Sequence, residues 1–221
     1  VRVGAFMGLR ILSQVEAERA GSEETPGIPP PLRGGHLVEV TPSELTAWAG
    51  SALPDRLQGH EFLATYATHY DTVTSVNPEQ EYAVRTPASH PILEHARVRM
   101  FRQLLAGPNS EERRELLGEL MFQSHASYSA CQLGSAGTDR LVDMVRAHRA
   151  AARASGHAPL LYGAKITGGG CGGTVCILGQ FTPEAHAVVR GIAAAYGAER
   201  EAEGQAAPSI FEGSSSGAAA F

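Results

Sequence analysis

A chain of 221 residues with 43% apolar and 19% charged side chains can bury one sizeable core or two small ones, which excludes a disulfide-stapled mini-protein. Eighteen Lys plus Arg against 23 Asp plus Glu leave a net charge of −5, without the basic stripe that would make nucleic acid an expected partner. No membrane is expected either, because no apolar run approaches the ~20 residues that span a bilayer.

The start, VRVGAFMGLRIL, carries neither an initiating Met nor a signal-peptide pattern. The expectation is a cytoplasmic protein read from inside a regular segment, as in a fragment. In that segment Val3, Phe6, Met7, Arg10, Ile11 and Val15 recur at helical spacing and predict a first helix with one apolar face. From Ala20 to Gly35 the run AGSEETPGIPPPLRGG has almost no large apolar side chain, so it reads as a loose surface insertion. Thr41-Pro42-Ser43-Glu44 resembles a helix start, and His60 to His69 reads as another short helix.

After His90 the punctuation is clearer. Pro91 fits a first helical position, Leu93, Ala96, Met100, Phe101, Leu104 and Leu105 make an apolar face, and Gly107-Pro108 ends the helix. Asn109 or Ser110 caps a second helix with Glu111 and Glu112 in its first turn and Leu116, Leu117, Leu120 and Met121 as its stripe. A third helix runs from about Thr138 to Ser155-Gly156 through Leu141, Val142, Val145 and His148. Strand-like runs follow at LLYGAKIT, TVCILGQF and PSIFEG. Between the last two, Thr182 caps a helix that starts at Pro183, carries Val188, Val189, Ile192 and Tyr196, and stops at Gly197. This order predicts an α+β fold with helices packed on one face of a mainly antiparallel sheet.

Gly168-Gly169-Gly170-Cys171-Gly172-Gly173 places five glycines between two strands, more than a hairpin needs. Such a loop either exposes successive N–H groups to an anion or is a long hairpin tip. Its G-x-G-x-x-G pattern is not a dinucleotide fingerprint, because a strand rather than a helix follows it. Lys165 is the chain's single lysine, and it either has a role at the loop or extends into water from a strand end. Thr167 could serve the loop backbone or a phosphate. Ser124, His125, Ser127, Tyr128 and Ser129 form a polar cluster that reads as helix-end hydrogen bonding rather than a nucleophilic site, since no G-x-S-x-G elbow is present. His90 and Glu94 stand one helical turn apart, and two ligands do not make a metal site. Cys131, Cys171 and Cys176 show no C-x-x-C spacing and read as reduced, buried thiols.

The order HPILEHARVRMF, LGELMFQSHASYSA, YGAKITGGGCGGTVCIL and IFEGSSSGA closely resembles the C-terminal half of the GHMP small-molecule kinases, with GAKITGGGCGG matching their third motif. Within that superfamily it is most similar to the galactokinase-like plant L-arabinokinases, over Val1 to Gly8 and His90 to Phe221. The resemblance implies a GHMP kinase C-terminal domain at 90–221, preceded at 1–89 by part of an inter-domain region. It also implies phosphorylation of a monosaccharide's anomeric hydroxyl with ATP and Mg2+, L-arabinose being the first expectation. A galactokinase, another superfamily member or a non-catalytic ligand-binding relative stands as the alternative. Thr167, Gly168, Gly169, Gly170, Gly172 and Gly173 are the residues it places beside the phosphates. The catalytic Asp, the sugar-binding motif and a P-x-x-x-G-L-S-S-S loop would lie in the missing N-terminal half.

Overall fold

The structure, a computed structural model, describes residues 1–21, 29, 31–168 and 173–213. α1 (Arg2–Arg19) is buried continuously from Met7 to Ser13, so it is a central helix and not the one-faced surface helix its periodicity suggested. Leu9 and Leu12, outside the expected face, are 2% and 0% exposed. Even Arg10 is enclosed, with its guanidinium 5.2 Å from the Tyr66 ring centroid.

The end of the expected insertion is anchored. Leu32 is 2% exposed, and its N–H donates to Ser13 Oγ at 2.8 Å while Ser13 Oγ–H donates to Leu9 O. Arg33 then pairs with Glu16 and Glu44. α2 (Pro42–Glu44), a π turn at Leu45–Ala49 and α3 (Gly50–Ala52) follow one another, opened by the expected Thr41 capping box. β1 (Arg56–Gln58) pairs antiparallel with β2 (Glu81–Ala83), and α4 (Gly59–Tyr66) lies between them in sequence. The Asp71 carboxylate receives two 2.7 Å bonds from Arg2, which clip the loop after α4 to the start of α1, and two from Thr74 within that loop. Arg2 first, and Thr74 with it, hold that carboxyl well below the usual range. These elements share a core that includes Met7, Leu12, Leu53, Phe62, Val84 and Ile92.

α5 (Arg85–Ala106) starts five residues before His90, so Pro91 sits inside the helix and not at its first position. The buried side chains of α5 are Pro87, Ala88, Ile92 and Arg97. Met100 and Leu105 of the expected face are exposed, at 49% and 57%. The expected stop at Gly107 holds, and Ser110 caps α6 (Glu111–Ala130), with its Oγ accepting from the Arg113 N–H. Leu117, Leu120 and Met121 are buried, whereas Leu116 is 47% exposed. α7 (Ala136–Ala154) opens on a Ser135–Thr138 capping box.

β3 (Leu161–Ile166) and β4 (Val175–Gly179) form an antiparallel pair, with Lys165 opposite Cys176. Both α6 and α7 lie against β3. Phe122, Val142, Val145, Leu161 and Ala164 form the second core with Ala185 from α8 (Pro183–Ala202), which Thr182 caps as expected. α8 continues through Gly197 instead of stopping there. The expected third strand at PSIFEG is not formed across its described residues 208–213, where Phe211 is 87% exposed. Cys131 is buried as expected, Cys176 is exposed, and Cys171 lies outside the described residues. Among the described residues no helix is long and apolar enough to cross a membrane.

Candidate functional site

The glycine loop is carried by the two strands of the second core. Thr167 N–H donates to Thr174 O at 3.0 Å and closes the neck of the loop. Gly168, at φ +86°, takes the turn out of β3 in a conformation that favours glycine, and among the described residues no heavy atom lies within 4 Å of where its Cβ would stand. Gly173 on the far side also faces open space. Of the expected phosphate-side residues, Thr167, Gly168 and Gly173 thus stand together at an exposed neck, while Gly169, Gly170 and Gly172 lie outside the described residues.

What holds this neck in place is the contact of α6 with β3. A Cβ on Gly118 would sit 2.0 Å from Tyr162 O, and one on Gly163 would sit 2.4 Å from the Gly118 Cα. Helix and strand therefore meet backbone to backbone, which only glycine at both positions permits. About two turns further along α6, His125 is buried and its Nδ1 accepts the Ile166 N–H at 3.3 Å. A backbone N–H can only donate, so the ring proton resides on Nε2, which lies 3.1 Å from Asp139 Oδ1. Burial pushes the His125 imidazole below its ordinary range despite the Asp139 charge, so the ring is neutral there. Ser129 Oγ–H donates to the same Asp139 oxygen at 2.8 Å. His125 thus caps a strand N–H; it does not serve a helix end.

Glu94 and His90 do not converge on one ligand. His90 Nδ1 lies 2.7 Å from Ser127 Oγ, and its ring stands edge-on to Tyr128. Glu94 instead accepts from Ser124 Oγ at 2.5 Å and from Arg97 Nε at 2.7 Å, with Lys165 Nζ at 3.5 Å. Burial works against ionisation of Glu94, yet the bonds from Ser124 and Arg97 and the nearby positive charges hold its carboxyl below the usual range. Burial likewise lowers His90. Tyr128 lies between this cluster and the loop: Lys165 Nζ is 5.5 Å from its ring centroid, and its hydroxyl reaches Gly168 O at a long 3.5 Å. Lys165 is therefore held against Glu94 of α5 and Tyr128 of α6, with about a quarter of its side chain exposed. Arg97 and Asp139 escaped the sequence reading, although Arg97 stands three residues after Glu94, a spacing that pairs charges on a helix.

A groove of about 820 Å³ starts at Gly173 and Thr174 on the β4 side of the neck and runs along β4 to α8 and residues 208–213, with Phe181 and Phe211 in its lining. Among the described residues no group of three or more His, Cys, Asp or Glu side chains is placed to hold a metal ion.

Residues 101–198, from the end of α5 through most of α8, match the family of GHMP kinases C terminal domains. The whole chain aligns at 39% identity over 238 residues with an L-arabinokinase of Arabidopsis thaliana. Residues 101–198 form a GHMP kinase C-terminal domain. The matched region contains β3, the glycine loop, β4 and most of the polar cluster beneath them, so the GHMP kinase C-terminal domain is the α+β unit built on the second core. The identity to the arabinokinase also covers residues 9–89, where the motifs alone showed little likeness. The chain spans 22% of the length of that relative.

Proposed function

We propose that this chain forms the C-terminal part of a cytoplasmic sugar 1-kinase that transfers the γ-phosphoryl group of ATP to the anomeric hydroxyl of L-arabinose. The observation that carries this reading is the 39% identity to an L-arabinokinase along the entire chain, together with the exposed neck at Gly168 and Gly173. In the transfer the anomeric oxygen forms a bond to the γ-phosphorus, the bond to the β–γ bridging oxygen breaks, ADP leaves, and the hydroxyl proton passes to a base. Catalysis of this kind depends on positioning and on charge stabilisation by N–H donors. The Thr167 hydroxyl and the N–H groups of Gly168 and Gly173 would meet phosphate oxygens, with Gly169, Gly170 and Gly172 as further backbone donors.

The described residues hold no cluster of three potential ligands and do not fit a resident metal site. Mg2+ in this proposal arrives on the ATP phosphates. No carboxylate of this chain is assigned as the base, because Glu94 is already engaged by Arg97 and Ser124. The sequence contains no P-x-x-x-G-L-S-S-S phosphate loop, so the 221-residue chain by itself is expected to release no sugar phosphate.

The test is phosphoryl transfer by a protein that contains this chain within an arabinokinase-length polypeptide, offered ATP, Mg2+ and a panel of pentoses and hexoses. Phosphorus NMR should show L-arabinose 1-phosphate as the preferred product. Preference for galactose would replace the acceptor, and nucleotide binding without turnover of any sugar would point to a non-catalytic relative.

A further inference from the structure

We propose that Lys165 is an anion-binding residue, the cation that meets phosphate oxygens beside the neck of the glycine loop, with Glu94 as its resting counter-ion. The strand period places Lys165 and Thr167 on one face of the chain and Ala164 and Ile166, both 0% exposed, on the other. On its own face Lys165 meets one carboxylate, and that carboxylate is already taken. Arg97 Nε donates to Glu94 at 2.7 Å and Ser124 Oγ at 2.5 Å, whereas Lys165 Nζ stands off at 3.5 Å. Charge-assisted N–H···O bonds ordinarily close to ~2.7–2.9 Å, so the lysine is held loosely.

The charges around this point do not balance. Arg97 and Lys165 are two cations facing one carboxylate, and the nearby His90 is pushed by burial toward its neutral form. Arg97 Nη2 is moreover buried with no hydrogen-bond partner among the described residues. A guanidinium cannot shed its charge by deprotonation, so a half-buried cluster with an orphaned donor and a net positive charge is complete only when an anion joins it. Of the two cations Lys165 is the more accessible, its side chain 26% exposed against 11% for Arg97. Tyr128 bridges the ammonium to Gly168, which places the unmet charge at the loop's first turn. For the identity of the anion as a nucleotide phosphate, the inference rests on the kinase reading; for the anion site itself it does not.

The experiment is calorimetric titration of the 221-residue chain with inorganic tripolyphosphate, followed by displacement with ATP, and with melting temperatures recorded for each variant. Lys165→Met should weaken tripolyphosphate binding by about tenfold or more, as loss of a charge-assisted contact does, while Lys165→Arg stays within about threefold of the parent. Glu94→Gln keeps the lysine and makes the site one charge more positive, so it should bind tripolyphosphate more tightly. Unchanged affinity in Lys165→Met, unchanged or weaker affinity in Glu94→Gln, or no binding to the parent chain at millimolar tripolyphosphate overturns the proposal. If tripolyphosphate binds through Lys165 and ATP fails to displace it, the anion site stands and the kinase reading falls. If ATP binds equally to the parent and to Lys165→Met, the kinase reading stands and the role of Lys165 falls.

Discussion

Gly118 of α6 and Gly163 of β3 touch through their backbones, which brings the helix directly against the strand that leads into the glycine loop. A methyl group at Gly118 would meet the Tyr162 carbonyl oxygen at 2.0 Å, backbone that cannot swing aside. Gly118→Ala should therefore push α6 off β3 and cost about 1–3 kcal/mol, read as a lower urea midpoint. Gly191, within α8, provides the contrast because, outside its own helix's backbone, nothing among the described residues lies within 4 Å of its Cβ position. Gly191→Ala should stabilise by about 0.5–1 kcal/mol through helix propensity alone. Equal effects of the two substitutions would show that the close approach is not what the glycines serve.

Ser13 links α1 to the segment that follows the proline-rich stretch. Its hydroxyl accepts the buried Leu32 N–H and donates to Leu9 O. Ser13→Ala leaves that N–H without a partner, at a cost of about 1–3 kcal/mol. Faster hydrogen exchange at Leu32, with exchange in β3 unchanged, is the expected signature.

His125 predicts how stability responds to acid. Its imidazole is lowered in the folded chain by burial, so the unfolded chain takes up a proton at higher pH than the folded one. The stabilisation is fully present above the ordinary His value, ~6.5, and declines as pH falls through the lowered folded value. His90 and His69, both lowered first by burial, act in the same direction. Melting temperature should thus drop between about pH 7.5 and 5. His125→Ala should cost about 1–2 kcal/mol at pH 7.5, because the Ile166 N–H loses its acceptor. The same variant should show a shallower pH slope, and an unaltered slope would remove His125 from the account.

Gly168 tests the loop itself. At φ +86° a side chain strains the backbone, by about 1–2 kcal/mol for alanine, while open space around the Cβ position among the described residues leaves no packing penalty from them. Gly168→Ala should therefore weaken nucleotide binding by about tenfold with little change in the two cores. Gly173→Ala, whose Cβ position has open space around it among the described residues, should bind nucleotide nearly as the parent does, and a larger defect there would shift the weight of the site to the β4 side.

Helix ends marked by local chemistry were legible in the sequence. The Ser110 and Thr182 caps and the stop at Gly107 involve neighbours three or four residues away, which a sequence displays directly. Faces were less legible. Periodicity assigned Met100 and Leu105 of α5 to a core, yet the helix buries Ile92 and Arg97 instead, because the opposing partners of α5 are α1 and α6 and pattern alone does not name them. The early start of α5 was hidden by Pro91, whose missing N–H removes one bond without ending the helix. At the candidate site the loop and its neck could be read from glycine content. The Glu94, Ser124 and Lys165 cluster could not, since its members lie 30 and 41 residues apart and meet only after α6 has docked on β3.

The most direct measurement of the central claim is nitrogen-edited NMR of the labelled 221-residue chain titrated with ATP and Mg2+. The account predicts shifts concentrated at Thr167, Gly168, Gly173 and Thr174, with a smaller response at Lys165 and Tyr128, and none around α1. Thr167 and Gly168 amides that stay unmoved at millimolar ATP, with shifts confined to the groove residues Ile177, Phe181, His186 and Val189, would contradict it.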